Sequence, residues 1–259
     1  NQVIDVLAND IKSTSTNASF APTTVKLCAS GQVAPNCIAT TLTTADGESL
    51  IGEVAAPIAN PTTALLCLHP NPTGGGMMDS HIYKKAANRL PAMAGVTIIR
   101  FNTRGTTSEA GTSTGSYDGG VAEKFDVQAA IDYCFDQLKV SELWIVGWSF
   151  GTELALCHTR DPRVKGLILL SPPLMKVKDS DLAFWAQDGR PITAMIPEHD
   201  EYLKPAEARV RFSVIPQLDL IAVDGAKHLW VGEPYVHRVL SEITRIIAPS
   251  RLPLPTELD

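Results

Sequence analysis

The sequence predicts an α/β fold in which a mostly parallel central sheet carries helices on both faces. Three observations predict it. Short apolar runs recur from about residue 40 to residue 247, stretches with helical spacing separate them, and Gly- and Pro-containing turns mark the junctions. At 259 residues the chain is long enough for one such domain with a substantial buried core.

Taken in order, Thr41–Thr44 and Ser49–Ala55 flank Ala45-Asp46-Gly47, a hairpin turn signal. Ala64-Leu-Leu-Cys-Leu68 is a continuous apolar run, as a strand covered on both faces requires. Ser80–Leu90 places Ile82, Ala86 and Leu90 on one helical face behind a Ser cap. Val96–Phe101 reads as a strand, Asn102–Gly120 as a Gly/Ser/Thr-rich loop, and Val121–Leu138 as a long helix. Leu143–Val146 (strand), Phe150–Thr159 (helix) and Val164–Leu170 (strand) follow. Ile192–Ile196 and Leu218–Val223 add two strands, and Pro234–Ile247 a last helix with Pro where its missing N–H is harmless. Strands separated by helices imply parallel pairing. The organisation read is therefore an N-terminal extension over 1–39, the α/β domain over 40–248, and a proline-rich tail without structure over 249–259. The extension is rich in Ser, Thr, Asn and Ala, with β-like pieces at Val3–Leu7 and Thr24–Leu27. Its Asp5–Asp10 stretch, with Thr24–Cys28 and Cys37, resembles part of a β-sandwich repeat of bacterial surface adhesins.

Composition narrows the partners. The net charge of −6 is spread without long runs of one sign, which argues against nucleic acid or an anionic membrane surface. No apolar stretch approaches the roughly 20 residues that cross a bilayer, so no membrane span is expected. Asn1–Asp10 lacks the basic start and apolar stretch of a signal peptide. Cys67, Cys134 and Cys157 fall in apolar patterns and read as free core thiols, favouring a cytoplasmic setting; the adhesin-like segment hints instead at the cell surface. Cys28 and Cys37 have the means to pair in an oxidising compartment. No Cys/His cluster has metal-ligand spacing, so no metal is expected.

The chemistry begins at Gly147-Trp-Ser-Phe-Gly151, a G-x-S-x-G between an apolar strand and a helical pattern. A turn this tight brings the residues two before and two after Ser149 nearly into collision, and Gly at both places removes the Cβ clash. Ser149 is thereby lifted above the sheet edge, at a helix N-terminus that favours developing negative charge. The setting resembles the nucleophile turn of α/β-hydrolases, in which an acid and then a histidine follow the serine in the chain. A serine is a weak nucleophile until a histidine takes its proton and an acid fixes that histidine's tautomer. His228 fits the base, because it follows the last strand through Asp224-Gly-Ala-Lys; His237 lies in the final helix and His199 beside the acid. Asp200 fits the acid, because Asp200-Glu-Tyr-Leu-Lys-Pro205 resembles the acid loop of this superfamily, with Glu198 and Glu201 as alternatives.

Negative charge built on a carbonyl oxygen needs two N–H donors, each worth roughly 3 kcal/mol in the transition state. Phe150, next to the serine, is one candidate, and Asn71 in His69-Pro-Asn-Pro-Thr-Gly-Gly-Gly76 is the other, since Pro70 and Pro72 have no N–H. His69 reads as a loop-shaping residue. The His69-Pro-Asn-Pro loop, Arg100-Phe-Asn-Thr-Arg-Gly105 with Ser108, and Tyr117-Asp-Gly-Gly120 resemble the dienelactone hydrolase and serine aminopeptidase-like esterase group, especially small cap-poor bacterial members with an H-P-H-P loop. Asn71 replaces the second His of that loop. The resemblance implies hydrolysis of a small-molecule ester or thioester with no metal or organic cofactor. Its Ser disfavours the reactions of relatives that carry Cys or Asp as nucleophile. The segment Ser171–Pro191 allows only a minimal cap, with Phe184 and Trp185 as apolar contacts for substrate; Trp148, Phe150 and Trp230 are further candidates for the same cleft. The rival reading is a binding or surface module on a catalytically silent scaffold of this fold.

Overall fold

The computed structural model describes residues 37–57 and 62–256. The expected strands at Val3–Leu7 and Thr24–Leu27, the adhesin-like wording and Cys28 lie outside the described residues. The hairpin signal at Asp46-Gly47 joins β1 (Cys37–Thr43) to β2 (Ser49–Ala55) in antiparallel register, with Gly47 at φ +94°. There follow β3 (Thr63–Leu68), α1 (His81–Ala94), β4 (Thr97–Phe101), a two-residue-strand hairpin of β5 (Thr107–Ser108) and β6 (Gly111–Thr112), and α2 (Glu123–Asp132). The chain continues through β7 (Glu142–Trp148), α3 (Phe150–His158), β8 (Val164–Leu170), α4 (Asp179–Asp188), β9 (Ile192–His199), α5 (Pro205–Phe212), β10 (Leu218–Lys227) and α6 (Glu233–Ile247). Among the described residues eight strands form one sheet in the order β1-β2-β4-β3-β7-β8-β9-β10, parallel from β4 onward.

Side-chain alternation divides the core between the two faces of this sheet. Leu65 and Cys67 of β3, Trp144 and Val146 of β7, and Ile168 of β8 pack with Ile82, Ala86 and Leu90 of α1 and Val239 and Ile243 of α6. Their neighbours Leu66, Leu68, Ile145 and Leu167 pack on the opposite face with Val127 of α2, Leu154 of α3 and Leu182 of α4. Both faces are therefore apolar, which is why these strands read as continuous apolar runs.

Several boundaries differ from those the sequence suggests. β1 pairs from Cys37 onward, inside the stretch read as extension. Cys37 is disulfide-bonded, whereas Cys67, Cys134 and Cys157 are free thiols. α1 runs through Pro91 to Ala94, because Leu90, Pro91 and Ala94 prolong its buried stripe. α2 ends at Asp132 and passes into a π-helical turn over Tyr133–Gln137. The tail is not loose as far as it is described: Leu254 is buried against α6, and its carbonyl accepts a hydrogen bond from His237 Nε2 at 3.3 Å.

One ion cluster ties the hairpin to the loop after β4. Arg104 donates to Asp126 Oδ1 through Nε (3.0 Å) and Nη2 (2.7 Å), and reaches both oxygens of Asp46. Asp126 is fully buried, so Arg104→Leu strands a carboxylate and is expected to destabilise the protein by about 3–5 kcal/mol. Urea unfolding of Arg104→Leu and of Arg104→Leu/Asp126→Leu checks this; the double variant recovers part of the loss.

Candidate active site

Ser149 sits between β7 and α3 with φ +53° and ψ −117°, a conformation that L residues avoid and that a tight surrounding structure must impose. The surroundings are tight indeed. A Cβ added at Gly147 would lie 2.3 Å from the carbonyl oxygen of Gly151, and one at Gly151 would lie 1.9 Å from that of Leu68. The two glycines therefore let the turn form and let it seat directly on the end of β3. Trp148 and Phe150 are buried on either side, while Ser149 itself is partly exposed.

His228 follows β10 immediately. β10 runs four residues beyond the expected Val223, and its register with β9 shifts between Val223 and Lys227, so the Asp224-Gly-Ala segment is a bulge within the strand rather than a loop after it. The imidazole Nε2 lies 2.9 Å from Ser149 Oγ, and Nδ1 lies 2.9 Å from Asp200 Oδ2. Asp200 leaves the end of β9, and its Oδ1 accepts the N–H groups of Tyr202 (2.8 Å) and Leu203 (3.2 Å). Burial works to raise the Asp200 pKa, but the His228 hydrogen bond and these two amides outweigh it and hold the carboxyl below its ordinary range. Of the alternative acids, Glu198 instead accepts the N–H of Gly225, and Glu201 is exposed. His199 is exposed, and His237 packs against the tail. Asp200, Glu201 and His228 place one donor atom each within 4.8 Å of one another, but two of the three are already spent on each other.

The expectation that Trp148, Trp185 and Trp230 line the cleft is corrected. All three are buried, and each indole N–H is used in the interior. Trp185 donates to the Leu156 carbonyl at 2.8 Å, which docks α4, the crossover helix between β8 and β9, onto α3, and Phe184 lies under Arg160. Trp148 donates to the His228 carbonyl at 3.1 Å, and so does the Ser171 hydroxyl, which in turn accepts from Trp230 at 2.9 Å. Trp148 and Ser171 thus hold the His228 backbone, and Trp230 holds Ser171. Ser171 and Trp230 share with Ser149 a positive φ near +50°. Sequence reasoning missed Ser171; its place at the end of β8, ahead of Pro172-Pro173, was the available signal.

The two expected N–H donors lie in different settings. Phe150 opens α3, so its N–H has no acceptor within the helix. The Asn71 loop is compact: the Asn71 carbonyl accepts from Gly74 and Gly76, and its side chain accepts from Thr73. His69 binds this loop to the one after β4. Its Nδ1–H donates to the Pro70 carbonyl (2.7 Å) and its Nε2 accepts the Thr103 N–H (3.0 Å), which fixes a neutral tautomer.

Burial lowers the His69 pKa from 6.5 to about 4. Between those values the unfolded chain binds a proton that the folded chain refuses. The stabilisation is complete above about pH 6.5 and lost as pH falls toward 4, a change of about 3 kcal/mol. Asp200 acts in the same direction, its share fading as pH falls below the ordinary carboxylate range. Denaturant unfolding at pH 7 and pH 4.5 is expected to show a clearly smaller loss in His69→Gln than in wild type; equal losses would contradict the assignment.

A doubly covered parallel sheet with a strained serine turn, and an aspartate and a histidine joined to that serine by hydrogen bonds after later strands, resembles the α/β-hydrolase class. A family model described as alpha/beta hydrolase fold matches residues 63–194, and the chain belongs to that family. RP471, an uncharacterized protein of Rickettsia prowazekii, is 33% identical over 133 residues, which cover 51% of each chain; this chain thus spans about half of that relative's length. Among solved structures it is similar to XC6422 of Xanthomonas campestris, described as an α/β serine hydrolase without lid (25% identity, TM-score 0.64, 82% of this chain and 95% of that one). It is also similar to the Pyrococcus furiosus esterase Pf2001 (19% identity, TM-score 0.65, 82% and 93%), a likeness of fold. No helix among the described residues is long and apolar enough to cross a membrane.

Proposed function

We propose that this chain is a serine hydrolase that cleaves carboxylic esters or thioesters through an acyl-enzyme. The observation that carries the reading is the unbroken relay of two 2.9 Å hydrogen bonds, Ser149 Oγ to His228 Nε2 and His228 Nδ1 to Asp200. His228 takes the Ser149 proton as Oγ attacks the carbonyl carbon, and Asp200 stabilises the imidazolium so formed. The N–H groups of Phe150 and Asn71 meet the oxyanion. His228 returns the proton to the leaving oxygen or sulfur, then activates a water that releases the acid and restores Ser149. The likeness to a lid-less serine hydrolase and to an esterase fold supports the class and an open site.

The test is direct. Purified protein is expected to react with a fluorophosphonate at Ser149 and to turn over p-nitrophenyl acetate and butyrate. A folded chain that does neither would sink the reading and favour a silent binding scaffold.

A further inference from the structure

We propose that Tyr202 is the specificity-determining residue for the leaving group, selecting esters whose alcohol portion has an apolar, bulky body. The inference rests on the hydrolase reading above. When the tetrahedral intermediate collapses, the bond from carbon to the leaving oxygen breaks and its electron pair stays on that oxygen. The carbonyl re-forms on Ser149 Oγ, and the proton held on His228 Nε2 moves to the leaving oxygen. The first atoms of the alcohol portion must therefore lie against the imidazole.

An exposed aromatic ring and exposed aliphatic side chains lie beside the imidazole. The Tyr202 ring lies over His228 with centroids 4.6 Å apart and planes at 54°, yet Tyr202 is 57% exposed. Its backbone is fixed, because its N–H is one of the two that hold Asp200. Leu229, next to His228 in the chain, is 56% exposed, and Val231 is 70% exposed. Leu229, Val231 and Tyr235, with Gly225 and the charged Lys227 and Glu201 (next to Tyr202 in the chain), line a groove of about 370 Å³, and the Glu201 carboxylate lies within 4.8 Å of the Asp200–His228 pair. Exposed aliphatic and aromatic side chains beside the histidine that protonates the leaving group suit an apolar alcohol portion, while a methyl ester leaves them unused.

The experiment holds the acyl group constant. Methyl, butyl and benzyl acetates are compared by kcat/KM in wild type, Tyr202→Ala, Tyr202→Phe and Leu229→Ser, with methyl butyrate against methyl acetate as the acyl control. Tyr202→Ala is expected to lower the benzyl-to-methyl ratio by about tenfold and Leu229→Ser by about threefold, magnitudes usual for losing one apolar contact in a pocket. Tyr202→Phe is expected to keep the ratio, and the acyl ratio is expected to stay constant in every variant. A benzyl-to-methyl ratio indifferent to residues 202 and 229, or an acyl ratio that shifts by the same factor, would overturn the proposal. Failure of the underlying hydrolase reading looks different: wild type takes no fluorophosphonate label.

Discussion

Ser149→Ala is expected to lower kcat/KM for p-nitrophenyl esters by about 10⁵- to 10⁶-fold. The size follows from the relay. Without Oγ there is no atom for His228 Nε2 to deprotonate, and what remains is water attack assisted by the oxyanion donors and binding. Stability is expected to move the other way, if at all. Ser149 holds φ +53° inside a turn where Gly147 and Gly151 leave no spare volume, and Ala needs no hydroxyl partner there. Continuous assay and thermal unfolding of the same preparation check both halves. Retention of even one hundredth of wild-type turnover would place the nucleophile elsewhere.

The second large effect belongs to Asp200→Asn, expected to lower kcat by about 10⁴-fold while the fold persists. The geometry says why an isosteric change is so damaging. Oδ1 of Asp200 accepts two backbone N–H groups, from Tyr202 and Leu203, and Oδ2 accepts from His228 Nδ1. An asparagine must give its one carbonyl oxygen to the two amides, which turns its NH₂ toward Nδ1. The imidazole then carries its proton on Nε2, where it cannot accept one from Ser149. Kinetics of Asp200→Asn with unchanged circular dichroism would support this; near-normal turnover would return the acid role to Glu201.

Much of the site was legible because its constraints are steric and local. Gly147 and Gly151 announce a collision that only glycine avoids, and both prove to lie within 2.3 Å of backbone oxygens if given a Cβ. Ser149 and His228 come forward as candidates from chain order after apolar runs, Asp200 from the likeness of its loop to an acid loop, and hydrogen bonds of 2.9 Å join the three. The tryptophans were misread because hydrophobicity does not tell a cleft wall from a core residue. What distinguishes them is an interior acceptor for each indole N–H, such as the carbonyls of Leu156 and His228, and such partners come from distant segments. The ends of β9 and β10 were missed because Glu198, His199 and Lys227 are exposed polar residues at a sheet margin, where backbone pairing continues after the apolar pattern stops. α5 escaped notice for a similar reason: only Ala208 and Phe212 of it are buried. The strand beginning at Cys37 has only the short apolar stretch Cys37-Ile-Ala39 before its threonines, and its register is set by β2.

The acyl-enzyme itself is the most direct object of measurement. Wild-type protein quenched in acid during turnover of p-nitrophenyl butyrate, digested and analysed by mass spectrometry, is expected to carry a butyryl group on the Ser149 hydroxyl, with none in Ser149→Ala. Steady hydrolysis accompanied by no acyl adduct, or by an adduct on another residue, would contradict the account.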